Sequence, residues 1–226
     1  MDHKRAPFSD PATVASYAVS TSRRVPGLAD LHRMVMLLLA ERAPSGAHIL
    51  VVGAGGGMET NAMAEAQPAW RFTGVDPSPA MLDLARQTVT PFSDRVDLIE
   101  GNVDQAPMGP YDGATCLLTL HHLARDERLR TLKGIHYRLR AGTRLVVAEH
   151  SAPGPVPERW MTRLAAFAER EELDWAKAAV TGKMLMEHLP LLTPLQEEDL
   201  LREAGFTDVE LFYAAFSFRG WVGTAG

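Results

Sequence analysis

A run of glycines between a predicted strand and a predicted helix is the feature of this chain best suited to chemistry. The apolar segment His48–Val52 is rich in β-branched residues, typical of a buried parallel strand, and it leads directly into residues 53–57, the glycine loop. Side chains in such a loop would keep the backbone away from a nucleotide-like ligand. The next apolar segment ends in Asp76, an acidic residue placed to accept hydrogen bonds from ribose hydroxyls. Together these features indicate a site for a nucleoside-containing cofactor.

The spacing of the glycines separates the candidate cofactors. Gly53, Gly55 and Gly57 follow the pattern G-x-G-x-G, whereas the dinucleotide pattern G-x-G-x-x-G would need a glycine where the sequence has Met58. The loop therefore argues against NAD and agrees with a cofactor that has no pyrophosphate. A tight turn that binds no ligand is the structural alternative, but such a turn would not require Asp76 at the end of the next strand.

A pair of histidines, His121 and His122, follows the fourth predicted strand at the same edge of the sheet. Imidazole titrates near neutral pH, so either ring could act as a general base toward a bound substrate. Alternatively, the pair only lines the pocket, and alignment of the reacting groups supplies the acceleration, on the order of 7–11 kcal/mol. The other histidines, including His150, show no metal-ligand spacing, so no metal is expected.

The composition is that of an ordinary globular chain. Its 226 residues are 46% hydrophobic and 23% charged, which predicts a single domain over residues 1–226. The formal net charge of -5 gives no global attraction for nucleic acid, so nucleic acid is not an expected partner. The single Cys116 fits a reducing compartment, which predicts a cytoplasmic location. No membrane span is expected, and the start of the chain lacks the apolar core of a signal peptide.

The elements that must position these residues alternate between strands and helices. Strands are predicted at 48–52, 70–75, 95–99, 112–118 and 143–149, with helices at 58–67, 78–89 and 125–139. This alternation predicts an α/β fold with a doubly wound, mostly parallel sheet, which a C-terminal antiparallel hairpin extends to seven strands. Ligands of such sheets bind beyond the carboxyl ends of the strands. Five positions are expected there: Gly53, Asp76, Asn102, Thr119 and Glu149.

Two helical segments are not required by the sheet and are expected to cover its open crevice. The first comprises residues 1–44, in which Val25-Pro26-Gly27 separates two helices, and the second is an insertion at 157–190. Each is apolar on one face. We therefore expect each segment to contribute at least one side chain to the cofactor or acceptor pocket.

The glycine loop and Asp76 resemble those of class I S-adenosylmethionine (SAM)-dependent methyltransferases, and the resemblance covers nearly the whole chain. Within that superfamily the chain is similar to the carboxy-SAM synthases, tRNA-wobble-modification enzymes that use prephenate. The closer likeness lies in residues 22–27 (SRRVPG), 76–81 (DPSPAM), 99–102 (IEGN) and 210–218. The resemblance implies a Rossmann-like methyltransferase fold with SAM as the cofactor.

The resemblance also implies which residues hold the cofactor. The glycine loop would face the methionine part of SAM, the acidic residue would hold the ribose, and two residues after it would lie near the adenine. An amide and a backbone N–H after the third strand would read the adenine edge, and residues after the fourth strand would floor the pocket. In that order the positions are Gly53, Ala54, Gly55 and Gly57, then Asp76, then Pro77 and Met81, then Asn102 and Val103, and finally Leu117 and Thr119 with their neighbours.

Several positions depart from the family patterns and bear on the substrate. A tyrosine and an asparagine of the synthases fall on Leu28 and Leu117, and their carboxylate-binding arginine falls on Lys183. Lysine keeps the charge but lacks the two-pronged guanidinium that suits a carboxylate. Arg23, which matches the synthase motif, is the other candidate for an anionic group, with a surface role at a helix end as the alternative. The acidic residue that the superfamily usually carries two positions before the first glycine is replaced by Val51.

Three functions remain open. The preferred one is transfer of the SAM methyl group to a small molecule by in-line displacement at the sulfonium. The alternatives are a carboxy-SAM synthase-like enzyme that uses SAM and prephenate, and a SAM-binding protein without catalysis. The loss of several carboxylate-binding partners favours methyl transfer. The expected partners are a small-molecule methyl acceptor and a second copy of the chain in a homodimer.

Overall fold

The computed structural model of the chain describes residues 11–169 and 172–226, with side chains described from residue 16 onward. Residues 1–10 lie outside the described residues. They belong to the expected N-terminal cover and to the segment from which the absence of a signal peptide is predicted. Residues 170 and 171 of the insertion also lie outside the described residues. None of the described helices is both long enough and apolar enough to cross a membrane.

One sheet of seven strands forms the centre of the fold. The strands are β1 (His48–Val52), β2 (Arg71–Asp76), β3 (Val96–Glu100), β4 (Tyr111–Leu117), β5 (Leu139–His150), β6 (Phe206–Ala215) and β7 (Phe218–Ala225). Their order in the sheet is β3-β2-β1-β4-β5-β7-β6. The first five strands pair in parallel, and β7 pairs antiparallel with both β5 and β6. The predicted doubly wound, mostly parallel sheet of seven strands is confirmed.

The strand order reverses beside β1, and this reversal positions the site. Strand β1 has β2 on one side and β4 on the other, so the connections leaving the carboxyl ends of β1 and β4 run to opposite sides of the sheet. Ligands of open α/β sheets bind in the crevice that opens at such a point. The glycine loop, Asp76 and Leu118 lie at these strand ends.

Helices cover both faces of the sheet. The described residues form α1 (Pro11–Arg24), α2 (Leu28–Ala40), α3 (Met58–Ala66), α4 (Pro79–Thr88), α5 (Arg125–Arg138), α6 (Pro157–Ala168), α7 (Trp175–His188) and α8 (Pro194–Glu203). One core cluster contains Leu31 of α2, Met63 of α3 and Met161 of α6. The other contains Leu132 of α5 and Leu200 of α8. Two separate cores therefore hold helices against the two faces of the sheet.

The helical insertion expected at 157–190 consists of two helices, α6 and α7, which pack against each other. Asp174 begins the second helix: its carboxylate accepts hydrogen bonds from the N–H groups of Ala176 and Lys177. The helices meet at Gly182, where a Cβ atom would lie 2.7 Å from the backbone nitrogen of Thr162. The small residue thus allows α7 to lie directly on α6.

Candidate active site

The glycine loop is tied to the end of β2 by the carboxylate of Asp76. The N–H of Gly55 donates to Oδ2 and the N–H of Ser78 donates to Oδ1, each at 2.9 Å. Each carboxylate oxygen has a second lone pair and can accept a further hydrogen bond. Burial raises the pKa of Asp76, and the two N–H donors offset part of that rise. The carboxylate is therefore held in one orientation at the strand end.

Gly53 approaches Thr119 too closely to carry any side chain. A Cβ atom at position 53 would lie 2.0 Å from Oγ1 of Thr119, and Gly53 adopts a φ of +77°. The Thr119 hydroxyl donates to the carbonyl of Leu117 at 2.9 Å, which holds it against the loop. The ends of β1 and β4 thus interlock, and this contact fixes the shape of the glycine loop.

The residues expected around an adenine lie along the same edge of the sheet. Pro77 is exposed, whereas Met81 is buried with its terminal methyl next to the glycine loop. The side-chain oxygen of Asn102 accepts a hydrogen bond from the N–H of Asp104 at 2.8 Å, and so caps a short 3₁₀ helix. The side chain of Val103 is buried. The Asn102 NH₂ group and the Val103 backbone are therefore the parts left to contact a base.

A cavity of about 30 Å³, the small cavity, lies beside the glycine loop. This volume accommodates roughly one or two water-sized groups. Helix α1 closes it from outside: the hydroxyl oxygen of Tyr17 lies 3.5 Å from the position that a Cβ of Gly55 would occupy. The residues that form its walls include Tyr17, His32, Gly53, Ala54, Glu59 and Leu117.

Glu59 is a site residue that the sequence reasoning missed. It lies in the first turn of α3, only 8% of its surface is exposed, and it faces the small cavity. Burial raises the pKa of Glu59 to about 8, and the nearby Thr115 hydroxyl offsets only part of this rise. An acidic residue in a first helical turn is favoured by the helix dipole alone, so its type and position in the sequence gave no sign of a buried carboxyl group.

A second cavity of about 490 Å³, the large cavity, adjoins the small one, and its size is typical of small-molecule sites. Tyr17, Thr21 and Leu118 border both cavities. Leu164 of α6 and Phe218 of β7 contribute apolar walls. Leu118 follows the last residue of β4 and lies where the two cavities meet. It adopts a φ of +55°, an unfavourable conformation for a leucine. Helices of both expected covering segments therefore line this space.

Three histidine rings meet at the polar end of the large cavity. The His121 ring centroid lies 4.3 Å from that of His122 and 4.8 Å from that of His150. The backbone N–H of His150 donates to Nδ1 of His121 at 3.3 Å, so neutral His121 carries its proton on Nε2. Burial lowers the pKa of His121 well below its usual range and that of His150 to about 3, so both rings are neutral at pH 7. Within the described chain no group of three or more His, Cys, Asp or Glu side chains is arranged to hold a metal ion.

The two side chains expected to bind an anion do not line this space. Arg23 is exposed, and its neighbour Arg24 borders the large cavity instead. Successive residues of a helix point about 100° apart, so these two neighbouring arginines of α1 face different surroundings. Lys183 is 68% exposed and lies 4.0 Å from Glu187 on the outer side of α7. Neither cavity has Lys183 in its wall.

Glu149, expected at the crevice, is buried on the opposite face of the sheet. Its Oε2 lies 3.3 Å from Nη1 of Arg128, which also contacts the Glu197 carboxylate of α8. Successive side chains of a strand point to opposite faces, and Ala148 takes the face that carries the cavities. Burial raises the pKa of Glu149 well above its usual range, and the neighbouring carboxyl group of Glu197 raises it further. The three buried side chains hold α5, β5 and α8 together.

Comparisons with known proteins agree with this fold. Residues 50–145 match a family model described as a methyltransferase domain. The chain is 26% identical over 225 residues to a carboxy-S-adenosyl-L-methionine synthase of Chromohalobacter salexigens, an alignment that covers 94% of this chain and 81% of the relative. Among solved structures it is similar to a putative O-methyltransferase from Nostoc punctiforme, with a TM-score of 0.69, 19% identity and 95% of this chain covered. It is also similar to PigF, solved with SAH, with a TM-score of 0.67, 21% identity and 95% covered. The chain spans 59% and 60% of the length of these two solved proteins, and at such identities the likeness shows the fold.

Proposed function

We propose that this enzyme, a class I SAM-dependent methyltransferase by its fold and its domain, transfers the methyl group of SAM to a small molecule. One observation carries the proposal: Tyr17, Thr21 and Leu118 border both the small cavity beside the glycine loop and the large cavity. A cofactor bound along the loop would present its sulfonium methyl group at this junction. An acceptor in the large cavity would then meet the methyl group from the opposite side.

The cofactor site in this proposal follows the carboxyl ends of β1 to β4. The Asp76 carboxylate, with a free lone pair on each oxygen, would accept hydrogen bonds from the ribose hydroxyls. The glycine loop would contact the methionine part, and the Asn102 NH₂ group would reach the adenine edge. The full set of proposed cofactor residues is Gly53, Ala54, Gly55, Gly57, Asp76, Pro77, Met81, Asn102, Val103, Leu117 and Thr119.

The histidines support a role in holding the acceptor. When bound, SAM would supply a methyl group already activated by its sulfonium: a lone pair of the acceptor would attack the methyl carbon while the C–S bond breaks and sulfur keeps the bonding electrons. The products are the methylated acceptor and S-adenosylhomocysteine (SAH). Because His121 has its proton on Nε2, it can donate a hydrogen bond to the acceptor but cannot take a proton there. Proton removal falls to His122, which is exposed and can pass the proton to solvent.

Carboxy-SAM synthesis is the second candidate, because relatives with 26% and 28% identity carry that name. Prephenate, however, brings two carboxylates, and removing them from water requires cationic or hydrogen-bonding partners. Arg24 is the single permanent cation among the described residues that line the large cavity, and the same wall contains the carboxylate of Glu169, which pairs with Lys177. The cavity therefore favours a less charged acceptor than prephenate.

An experiment with labelled SAM distinguishes the three functions. The protein is incubated with SAM labelled in its methyl group and with the small-molecule fraction of a cell extract, and a parallel sample receives prephenate. Mass spectrometry is expected to find the labelled methyl group on a small molecule, together with SAH. Carboxy-SAM in the prephenate sample would support the second candidate instead. SAM binding without transfer in either sample would support a SAM-binding protein without catalysis.

The proposal extends to location and assembly. The single cysteine, Cys116, is buried and free, which fits a reducing compartment such as the cytoplasm. Around the start of α7, the apolar side chains of Leu173, Trp175 and Val180 are exposed and offer a surface that a second copy of the chain would cover. Light scattering after size-exclusion chromatography tests this homodimer, and a monomer at all concentrations would contradict it.

A further inference from the structure

A buried carboxyl group faces the small cavity with one oxygen that lacks a partner. Glu59 is 8% exposed, and its Oε1 atom makes no hydrogen bond within the part of the chain that is described. An unpaired polar atom in a protein interior is unfavourable, so such an atom needs an explanation, such as an ordered water, an ion or a group of a ligand that hydrogen-bonds it. The other titratable groups in the wall of the small cavity, Tyr17 and His32, supply no positive charge, since burial lowers the pKa of His32 to about 4.

Glu59 lies beside Thr115 of the sheet, whose hydroxyl, like Glu59 Oε1, makes no hydrogen bond among the described residues. In β4, Thr115 lies beside Val51 of β1 in the parallel register, and its hydroxyl approaches the Glu59 carboxyl group. Val51 is apolar and fully buried, so β1 itself offers no charged group at this place. Glu59 is therefore the residue of α3 whose carboxyl group lies against the sheet, next to the start of the glycine loop.

We propose that Glu59 binds the α-ammonium group of the methionine part of SAM. The assignment rests on the proposed function, in that it takes SAM as the cofactor. A carboxylate that accepts hydrogen bonds from an ammonium group forms a strong, charge-assisted contact. The small cavity, at about 30 Å³, has room for a group of that size and not for a whole cofactor.

The two carboxyl groups of the site support this assignment by their placement. Asp76 is bound to Gly55 from the β2 side, whereas Glu59 follows the other end of the glycine loop in α3. The Tyr17 hydroxyl lies next to the glycine loop, and the charges of Glu59 and Asp76 both raise its pKa. One carboxyl group is thus available for the ribose and a second one for the ammonium at the other end of the same molecule.

Ligand binding should change the protonation of Glu59. Burial raises the pKa of its carboxyl group to about 8 in the free protein, so most molecules hold that proton at pH 7. A neighbouring ammonium group favours the ionised form. Binding at pH 7 should therefore release a proton, which calorimetry in buffers of different ionisation enthalpy measures directly.

The test compares SAH with an analogue that lacks only the α-amino group. The full chain is titrated with both ligands as the wild type, as Glu59→Gln, and as Glu65→Gln, a matched control at an exposed position of the same helix. Glu59→Gln should weaken SAH binding by about tenfold to a hundredfold, leave the binding of the analogue unchanged, and abolish the proton release. Glu65→Gln should behave as the wild type does.

Each outcome decides the matter. If the wild type and Glu59→Gln bind SAH equally well, the inference is overturned while the proposed function stands. If the wild type binds neither SAM nor SAH, the proposed function is wrong, and the inference, which depends on it, is wrong as well. If Glu59→Gln does not fold, the wild type alone decides the question. The assignment is overturned if the wild type binds SAH and the analogue with equal affinity and releases no proton when it binds SAH.

Discussion

The backbone N–H of Gly55 and the carboxylate of Asp76 are 2.9 Å apart, so the glycine loop and the end of the neighbouring strand form one rigid unit. Replacing Asp76 by Ala removes both this hydrogen bond and the proposed ribose contacts. We expect the binding free energy of SAM to weaken by about 1.5–3 kcal/mol, the usual contribution of hydrogen bonds to a charged group. Calorimetry measures the change, with Asp97→Ala on the exposed side of β3 as the control. Unchanged SAM affinity in Asp76→Ala would place the ribose elsewhere.

The buried cluster around Arg128 predicts different effects for its two glutamates. Burial and the neighbouring Glu197 raise the pKa of Glu149 well above its usual range, and Arg128 lowers it by less, so we expect Glu149 to hold the proton of the pair. Burial also raises the pKa of Glu197, and Arg128 offsets part of that rise. Glu149→Gln replaces a neutral acid by a neutral amide and should change the free energy of unfolding by less than about 1 kcal/mol. Glu197→Gln removes one of the two carboxyl groups that contact the buried guanidinium and leaves only Glu149 beside it. The free energy of unfolding should fall by up to about 3–5 kcal/mol, the full value applying if Glu149 keeps its proton. Urea denaturation distinguishes them, and equal effects would show that the proton is not on Glu149.

The succession of strands and helices along the chain was predictable because its signal is local. Apolar runs alternate with helical patterns from His48 to His150, and turn residues mark the ends of the elements. The direction of single side chains was not predictable to the same degree. Arg24 rather than Arg23 borders the large cavity, and Glu149 points away from it, because one position along a helix or strand changes the face on which a side chain lies.

The buried parts of the site depend on packing between distant segments, which a sequence pattern does not contain. Glu59 is buried where α3 packs against the sheet and α2, and its neighbour Thr115 is far away in the sequence. The meeting of His121 with His150 likewise requires the ends of β4 and β5 to be adjacent. The glycine loop could be recognised because its residue types and spacing are themselves the signal.

His122 is the histidine of the cluster that we expect to remove a proton from the acceptor. Replacing it by Gln should lower kcat on the order of a hundredfold, while SAH affinity stays that of the wild type. His188→Gln, at an exposed position near the end of α7, is the matched control. Turnover is measured as SAH formation with the acceptor found in the labelling experiment. An unchanged kcat would restrict the histidines to positioning the acceptor.

Glu59 should make the stability of the free protein depend on pH. Its pKa is about 8 in the folded protein against 4.5 in the unfolded chain, so between these values the folded state holds a proton that the unfolded state has lost. The resulting stabilisation is complete below pH 4.5 and is lost as pH rises toward 8, by at most about 1.4 kcal/mol per pH unit. Relative to Glu59→Gln, the wild type should become steadily less stable from pH 5 to pH 8 in urea denaturation. A constant difference between the two proteins would mean that Glu59 is ionised throughout.

Calorimetry of the full chain with SAM, SAH and NAD tests the central claim most directly. The glycine spacing, the fixed Asp76 carboxylate and the two adjoining cavities predict that SAM and SAH bind, one per chain, and that NAD does not. Measurable binding of NAD, with none for SAM or SAH, would contradict the account.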